Sequence, residues 1–354
     1  MGHGRSVALS AAGTESWASN TTIAEAASFL RAAKRVVVLT HSKADGDALG
    51  STLALARTLG RVGVEATPWY FGALPHWGTL AIADTTVELG AEGRHPPNDA
   101  EAVVVLDTGA WEQLFEVRAW LEGRAEQTIV IDHHLRGDAD VASRRIVETH
   151  ASAVCELVTP LCVELLGVDG PEHLPVDVAE PLYLGLATDT GWFRYSNVTA
   201  ASMRLAAALL DAGIDQPKLY RTVELCERPA RLRLMAAALN SLELHDQDRV
   251  AIMTIRQSDM REAKAAPGDA GGFADLALAV ASVRVGVVLF ETPKKNGQEP
   301  LTRISMRSKA LDDDSVNVNE VARRLGGGGH ARAAGARAQG TVDEVKARVL
   351  EALT

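Results

Sequence analysis

Val36-Val37-Val38-Leu39-Thr40 is an unbroken apolar, β-branched run that stops at His41, and Asp45, Gly46, Asp47 and Gly50 follow at once. A run without apolar–polar alternation does not suit a strand with one face in water. It reads as a strand buried on both faces, as in a parallel sheet covered by helices. Ser51 to Gly60 then has helical spacing and ends on a glycine C-cap. His41, Asp45 and Asp47 therefore fall between a strand end and a helix start, the crevice where open α/β sheets bind ligands. One imidazole and two carboxylates this close together suit a divalent cation.

The pattern recurs twice. Ala102–Leu106 ends on Asp107, and Thr128–Ile131 runs into Asp132-His133-His134. Strands of this type with helices between them predict an α/β fold with an N-terminal parallel sheet. Right-handed crossovers would set the three strand ends along one edge. Around them, Thr22–Ala33 reads as a helix capped by Thr21 or Thr22, and Val62–Tyr70 as a second strand. Ser152–Leu166 reads as a helix that Pro160 should kink or end. Val178–Ala187 is a helix running into Asp189, and Ala200–Asp211 is a helix closed by Gly213. Ile214–Pro229 carries two prolines and mixed charge and is read as a linker. Beyond it, a helix at Arg231–Leu244, strands at Val250–Ile255, Val283–Glu291 and Leu301–Ser308, and helices at Ser315–Leu325 and Val342–Leu353 predict a smaller C-terminal α/β domain. A hairpin-like loop is expected at Pro293–Gln298, and a solvated turn at Asp312-Asp313-Asp314. The expected division is a flexible tail over 1–20, a first domain over 21–213, a linker over 214–230 and a second domain over 231–354. The tail has no basic segment followed by an apolar core, so it does not read as a secretory signal.

The strand ends collect His41, Asp45, Asp47, Asp107, Asp132, His133, His134 and Asp189. Packed carboxylates cost several kcal/mol unless neutralised, and a pair of divalent cations does this. Mixed carboxylate and imidazole donors fit Mn²⁺, with Mg²⁺, Fe²⁺ or Co²⁺ as alternatives. Two cations about 3.5–4 Å apart would clamp an in-line phosphoryl displacement and activate a water as nucleophile. No serine or cysteine nucleophile is then needed. Cys155, Cys162 and Cys226 form no disulfide framework and read as buried thiols in a reducing cytoplasm. Near the C-terminus, Gly326-Gly327-Gly328-Gly329 precede His330 and Arg332. Open glycine N–H groups would cradle a phosphate, with His330, Arg332 and Arg307 as donors. Trp192, Phe193 and Tyr195 either stack a base or pack in the core.

His41-x-x-x-Asp45-x-Asp47 with Gly50-Ser51, then Asp107, Asp132-His133-His134 and Asp189, resemble the successive motifs of the DHH phosphoesterase superfamily. The Gly326–His330 run resembles the DHH-associated domain that follows it in that family. The resemblance runs from about Thr22 to the end. It is nearest to the NrnA-like oligoribonucleases, which degrade nanoRNA and dephosphorylate 3′-phosphoadenosine 5′-phosphate. Ala44 departs from it, since many relatives carry proline there; this should change loop stiffness and not ligation.

The resemblance implies one metal on His41, Asp45 and Asp107, and a second on Asp47, Asp107, His133 and Asp189, with Asp107 bridging. It places His134 at the substrate phosphate and Asp132 behind a histidine, orienting it. Arg307, Gly327, Gly328, Gly329, His330 and Arg332 become the substrate contacts. The expected cofactor is two Mn²⁺, and the expected substrates are short RNA or DNA oligonucleotides or nucleotide bisphosphates. They would be taken end-first in a cleft between the domains that closes on the linker. The alternative is a cyclic- or linear-dinucleotide phosphodiesterase of the same superfamily. A catalytically silent binding module is the rival from another class, and the complete ligand set argues against it. The net charge of −10 argues against long duplex nucleic acid. No apolar run approaches the roughly 20 residues of a membrane span, so no membrane partner is expected. A cytoplasmic location follows from these readings, with a homodimer as the candidate assembly.

Overall fold

The first strand shows why its sequence is apolar throughout. β1 (Arg35–Leu39) buries Val36 and Val38 in one hydrophobic cluster and Val37 and Leu39 in another, on the opposite face of the sheet. The same alternation between two cores runs through β4 (Ala102–Leu106) and β5 (Thr128–Asp132). The structure, a computed structural model, describes residues 16–353 apart from 83, 92, 267, 294–298 and 310–314. The 312–314 turn and most of the 293–298 loop therefore lie outside the described residues. The chain divides into two compact units, Met1–Cys226 and Glu227–Thr354.

In the first unit, β2 (Glu65–Tyr70), β3 (Glu88–Leu89) and β6 (Arg144–Val147) complete a six-stranded sheet of order β3-β2-β1-β4-β5-β6. Every pairing in it is parallel. Winding runs outward from β1 to β3 on one side, then restarts at β4 on the other. The loops after β1 and β4 thus diverge at a topological switch point, where such sheets open a ligand crevice at their carboxyl ends.

Behind that crevice, two helices pack backbone to backbone. Gly46–Arg61 follows β1, with Asp45 as its N-cap. The Asp45 Oδ1 accepts from the Asp47 and Ala48 N–H groups, each at 3.1 Å. Val176–Asp189 crosses it through glycines. A Cβ on Gly50 would lie 2.2 Å from the Pro181 carbonyl oxygen, and one on Gly46 would lie 2.1 Å from Thr188 Oγ1. This closeness sets Asp189, at the end of the second helix, beside Asp47 in the first turn of the first.

The second unit carries a mixed sheet of order β11-β12-β10-β9-β8-β7. Its strands are β7 (Glu243–His245), β8 (Val250–Ile255), β9 (Val285–Glu291), β10 (Leu301–Ser308), β11 (Gly328–His330) and β12 (Ala333–Gln339). Only the β8–β9 pairing is parallel. The Val318–Arg324 and Val342–Leu353 helices bury Val321, Ala322, Val345 and Val349 with β9, β10 and β12.

Several local expectations change. Pro160 does not end its helix, which runs over Cys155–Leu166. Pro160 itself lies on the exposed face. The predicted linker is mostly the Gln216–Glu224 helix, capped by Asp215. The Arg231–Leu244 helix is Pro229–Asn240 followed by β7. Of the stretch expected to be a flexible tail, residues 1–15 lie outside the described residues, and the described part is tied down: Asn20 N–H donates to the Arg145 carbonyl at 2.9 Å. No described helix is long and apolar enough to cross a membrane.

Candidate metal centre

Asp107 stands where β4 ends, and its backbone is left-handed, with φ of +63°. Such a conformation costs a non-glycine residue about 1–3 kcal/mol and persists where the surroundings enforce it. Its effect is to aim a carboxylate that is only 3% exposed across the sheet edge. Asp107 Oδ2 lies 3.4 Å from His41 Nε2, and Asp107 Oδ1 lies 3.4 Å from His133 Nε2. One carboxylate therefore faces two histidines with different oxygens, the arrangement of a bridging ligand.

Each histidine belongs to a separate donor group. His41, Asp45 and Asp107 bring their ligand atoms within 4.8 Å of one another, and so do Asp47, His133 and Asp189. His41 Nε2 is 3.8 Å from Asp45 Oδ1. His133 Nε2 is 4.0 Å from Asp47 Oδ2 and 3.8 Å from Asp189 Oδ2. Both rings are turned by backbone carbonyls. The His41 Nδ1 faces Ser42 O at 3.0 Å and the His133 Nδ1 faces Ala151 O at 3.1 Å. A donor bond from each Nδ1 leaves Nε2 as the ligand atom, the way metal-binding imidazoles are commonly oriented. This donor set fits two divalent cations: imidazole nitrogens, carboxylates from three strand or helix ends, and a shared acid between them.

Asp132 is outside those groups, whereas His134 forms a third with Asp107 and His133, again with ligand atoms within 4.8 Å of one another. Asp132 is fully buried, and its Oδ1 accepts from the His133 N–H at 2.7 Å and the His134 N–H at 3.1 Å. The same oxygen lies 2.7 Å from His134 Nδ1. Asp132 thus orients His134, whose half-exposed ring presents Nε2 outward. His134 Nδ1 is also 3.9 Å from Asp107 Oδ1, so this ring borders the donor cluster.

The residues singled out in the second unit gather at one end of its sheet. Arg307 pairs with Ala333, and Ala333 with His330, so Arg307 and His330 flank one residue across three strands. Arg332 occupies the two-residue turn between β11 and β12, and both it and His330 are exposed. The Arg307 Nε lies 3.5 Å from Asp275 Oδ1. The glycine run differs from the open cradle expected. Gly326 and Gly327 N–H groups donate to Arg323 and Ala322 carbonyls at 3.1 and 2.8 Å, closing the helix before them. A Cβ on Gly327 would lie 2.1 Å from the Gly335 carbonyl oxygen. Gly327 is therefore a close-packing residue, and Gly328 and Gly329 belong to β11, the last strand of its sheet. Of the aromatics after Asp189, Phe193 packs on Tyr183 and Trp192 meets Tyr220 edge-on; Tyr195 is exposed.

Residues 35–186 match the N-terminal domain of the DHH family, and residues 247–354 match the DHHA1 domain. A Thermus thermophilus protein named bifunctional oligoribonuclease and PAP phosphatase NrnA is 30% identical, over 90% of this chain and 89% of its own. The chain belongs to the DHH family. A Streptococcus mutans relative, named probable bifunctional oligoribonuclease and PAP phosphatase NrnA, is 27% identical over 87% of this chain and 90% of its own. The crystal structure of an exopolyphosphatase-related protein from Bacteroides fragilis matches with a TM-score of 0.82 at 25% identity, covering 94% of this chain and 95% of that one.

The acids and histidines of this DHH-family centre neutralise one another when no cation is present. Burial alone would lower the His41 pKa, but the Asp107 and Asp45 carboxylates outweigh it and push it up to about 11. His133 is raised for the same reason, burial being outweighed by Asp107 and Asp47. Asp189 is raised to about 6, chiefly by burial, with repulsion from Asp107 adding to it. Burial and the neighbouring Asp107 and Asp189 also raise Asp47. A cation requires neutral imidazoles and ionised carboxylates, so its binding releases these protons. Both His41 and His133 are protonated in the metal-free protein through pH 8. Apparent affinity for a divalent cation should therefore rise with pH from 6 to 8, by about one decade per pH unit for each proton displaced. Calorimetric metal titrations at pH 6, 7 and 8, in buffers of different ionisation enthalpy, would measure both slope and proton count. A pH-independent affinity would contradict this electrostatic picture.

Sequence reasoning did not find the groups that hold the ligands. Val154 and Cys155 N–H groups donate to the two Asp47 oxygens at 2.5 and 3.1 Å, from the start of the Cys155–Leu166 helix. Ala151 O and Ser42 O set the histidine rings. None of these backbone groups leaves a mark in the sequence. The Gly46 and Gly50 pair does, since small residues four apart on one helix face signal close helix packing.

Proposed function

We propose that this DHH-family chain is a phosphoesterase that uses two Mn²⁺ ions to hydrolyse short oligoribonucleotides to mononucleotides. On this reading it also hydrolyses 3′-phosphoadenosine 5′-phosphate to AMP. The observation that carries the reading is Asp107, with one oxygen 3.4 Å from His41 and the other 3.4 Å from His133. A shared carboxylate between two imidazole-and-carboxylate groups suits a two-metal phosphoryl site better than a single-ion structural site. The similarity to proteins named oligoribonuclease and PAP phosphatase over most of their length supports the substrate class.

His41, Asp45 and Asp107 would hold one cation, and Asp47, Asp107, His133 and Asp189 the other. When bound, such cations activate a water and neutralise charge developing on the phosphoryl oxygens. The protein's own groups do the rest. The Asp132 hydrogen bond raises the His134 pKa, outweighing its partial burial. That shift favours the protonated ring, whose Nε2–H would donate to a phosphate oxygen or to the leaving group. Asp132 keeps that ring's orientation. In the second unit, His330, Arg332 and Arg307 would serve as phosphate donors.

The test is a substrate panel with purified, Mn²⁺-loaded protein: RNAs of two to five residues, the same DNAs, 3′-phosphoadenosine 5′-phosphate and cyclic dinucleotides. Mononucleotides from the short RNAs and AMP from the bisphosphate are the expected products. A folded, metal-loaded protein that releases neither would end the proposal. Turnover of cyclic dinucleotides alone would move the chain to the phosphodiesterase alternative.

A further inference from the structure

Trp17 lies in the stretch that composition marks as a tail, yet its indole is docked between two of the loops that carry the candidate metal centre, those after β4 and β5. Its Nε1–H donates to the His134 carbonyl at 3.1 Å. The six-membered ring sits against both Gly109, in the turn after β4, and Gly137, in the turn after β5. A Cβ on Gly109 would fall 1.9 Å from the indole Cη2, and one on Gly137 would fall 2.4 Å from Cη2 and Cζ2. Both positions are therefore open to the indole only as glycine.

The segment is fastened on its other side as well. Ser19 Oγ donates to Val147 O at 2.9 Å and accepts from Val147 N–H at 2.8 Å. Asn20 N–H donates to Arg145 O at 2.9 Å, and Asn20 Oδ1 accepts from Arg145 N–H at 2.7 Å. β6 is the last strand of its sheet, and Ser19 and Asn20 use backbone groups that an edge strand leaves free. The two turns are tied to each other by the Asp138 N–H, which donates to Gly109 O at 2.8 Å. After His134 the chain runs outward: Leu135 is 80% exposed and Arg136 is also exposed. Gly137 is where it returns to the protein, against the indole.

We propose that Trp17 is a positioning residue for His134. Asp132 fixes the His134 ring and amide from below, while Trp17 holds its carbonyl and the Gly137 turn that follows. With both in place, the His134 imidazole keeps its direction relative to Asp107. Without the indole, the segment from His134 to Gly137 loses its outer support, and the ring's aim spreads over a wider arc. This rests on the reading of His134 as the residue that meets the substrate phosphate. A misplacement of that size in a group making its interaction in the transition state lowers kcat and spares KM.

The experiment uses the full chain with Trp17→Ala and Trp17→Phe, each with and without His134→Gln. Trp17→Ala is expected to lower kcat about tenfold on a short RNA while KM stays within about twofold. Trp17→Phe keeps a ring and loses the N–H donor, and should lose about threefold. In the His134→Gln background, Trp17→Ala should cost less than about twofold, because residues acting through one another are not additive. Equal losses in both backgrounds, a change confined to KM, or a lower melting temperature with unchanged kcat would each overturn the proposal. A second arm needs no turnover. In metal-free protein labelled with ¹⁵N-histidine, Trp17→Phe should shift the His134 amide resonance, identified by its disappearance in His134→Gln, and leave that of His41 in place. An unmoved His134 signal overturns the role of Trp17 even in an active enzyme. A wild-type protein without phosphoesterase turnover overturns the proposed function instead, and this arm still decides on Trp17.

Discussion

Asp107→Ala is expected to lower kcat about 10⁴-fold, roughly 5–6 kcal/mol of transition-state stabilisation. Among the described residues, no other carboxylate forms ion pairs with both His41 and His133. Its Oδ2 faces His41 and its Oδ1 faces His133, so on the proposed two-cation reading one truncation would remove a ligand from each. Metal content should fall with activity, from two ions per chain to fewer than one by elemental analysis. Alanine is also a poor residue for a φ of +63°, which would add a folding defect. Asp107→Asn separates the two effects, because asparagine tolerates the left-handed backbone while binding cations weakly. It should keep the wild-type melting temperature and still lose turnover. Kinetics within tenfold of wild type for both variants would remove Asp107 from the mechanism. The same pair of variants separates an enzyme from a silent binding module, which would hold its nucleotide as well as before and have no turnover to lose.

Gly50→Ala is the second large effect, and it acts at a distance. The new Cβ would lie 2.2 Å from the Pro181 carbonyl oxygen, 2.9 Å from Gly185 N and 3.1 Å from Gly185 Cα. All three are backbone atoms, so no rotamer change can relieve the clash. Overpacking a core costs about 1–3 kcal/mol, and more against backbone; the better helix propensity of alanine offsets about 1 kcal/mol. The net expectation is a loss of about 2 kcal/mol, seen as a melting temperature about 4–8 °C lower. The displaced element is the Val176–Asp189 helix, so Asp189 moves away from Asp47 and His133. Affinity for the cation on the His133 side should weaken before that for the one held by His41 and Asp45. A variant with unchanged stability and two equally tight cations would show that the helices have room to adjust.

Most of the site could be read in the sequence because its side chains sit at the ends of strands with a clear pattern. A strand buried on both faces must be apolar throughout, so an acid or a histidine at its end stands out, as His41, Asp107 and Asp132 do. Asp189 was harder to place. It ends a helix, and nothing local says that the helix returns to the sheet edge. The second unit was less legible still. Four successive glycines suggest an open loop, but Gly326 and Gly327 close a helix and Gly328 and Gly329 form an edge strand. Glycine permits all of these conformations equally, and only its neighbours choose among them. Trp17 shows the same limit from the other side. A single aromatic in a polar, small-residue segment carries no periodicity, so its docking site is invisible until the two glycine turns that receive it are brought together.

What the sequence determined by itself was the parallel sheet and the acids and histidines that gather along one of its edges. Those follow from local rules: apolar runs too continuous for a half-exposed strand, and polar side chains at the points where such runs must stop. What the tertiary structure decided was which oxygen faces which ring. Asp107 faces both histidines because β1, β4 and β5 are neighbours in the sheet. Asp189 reaches Asp47 because glycines let two helices touch. The His133 ring points inward because the Ala151 carbonyl, from another element, holds its outer nitrogen. These are relations between residues distant in sequence, set by packing and by the need of buried polar groups for partners, and no local pattern encodes them.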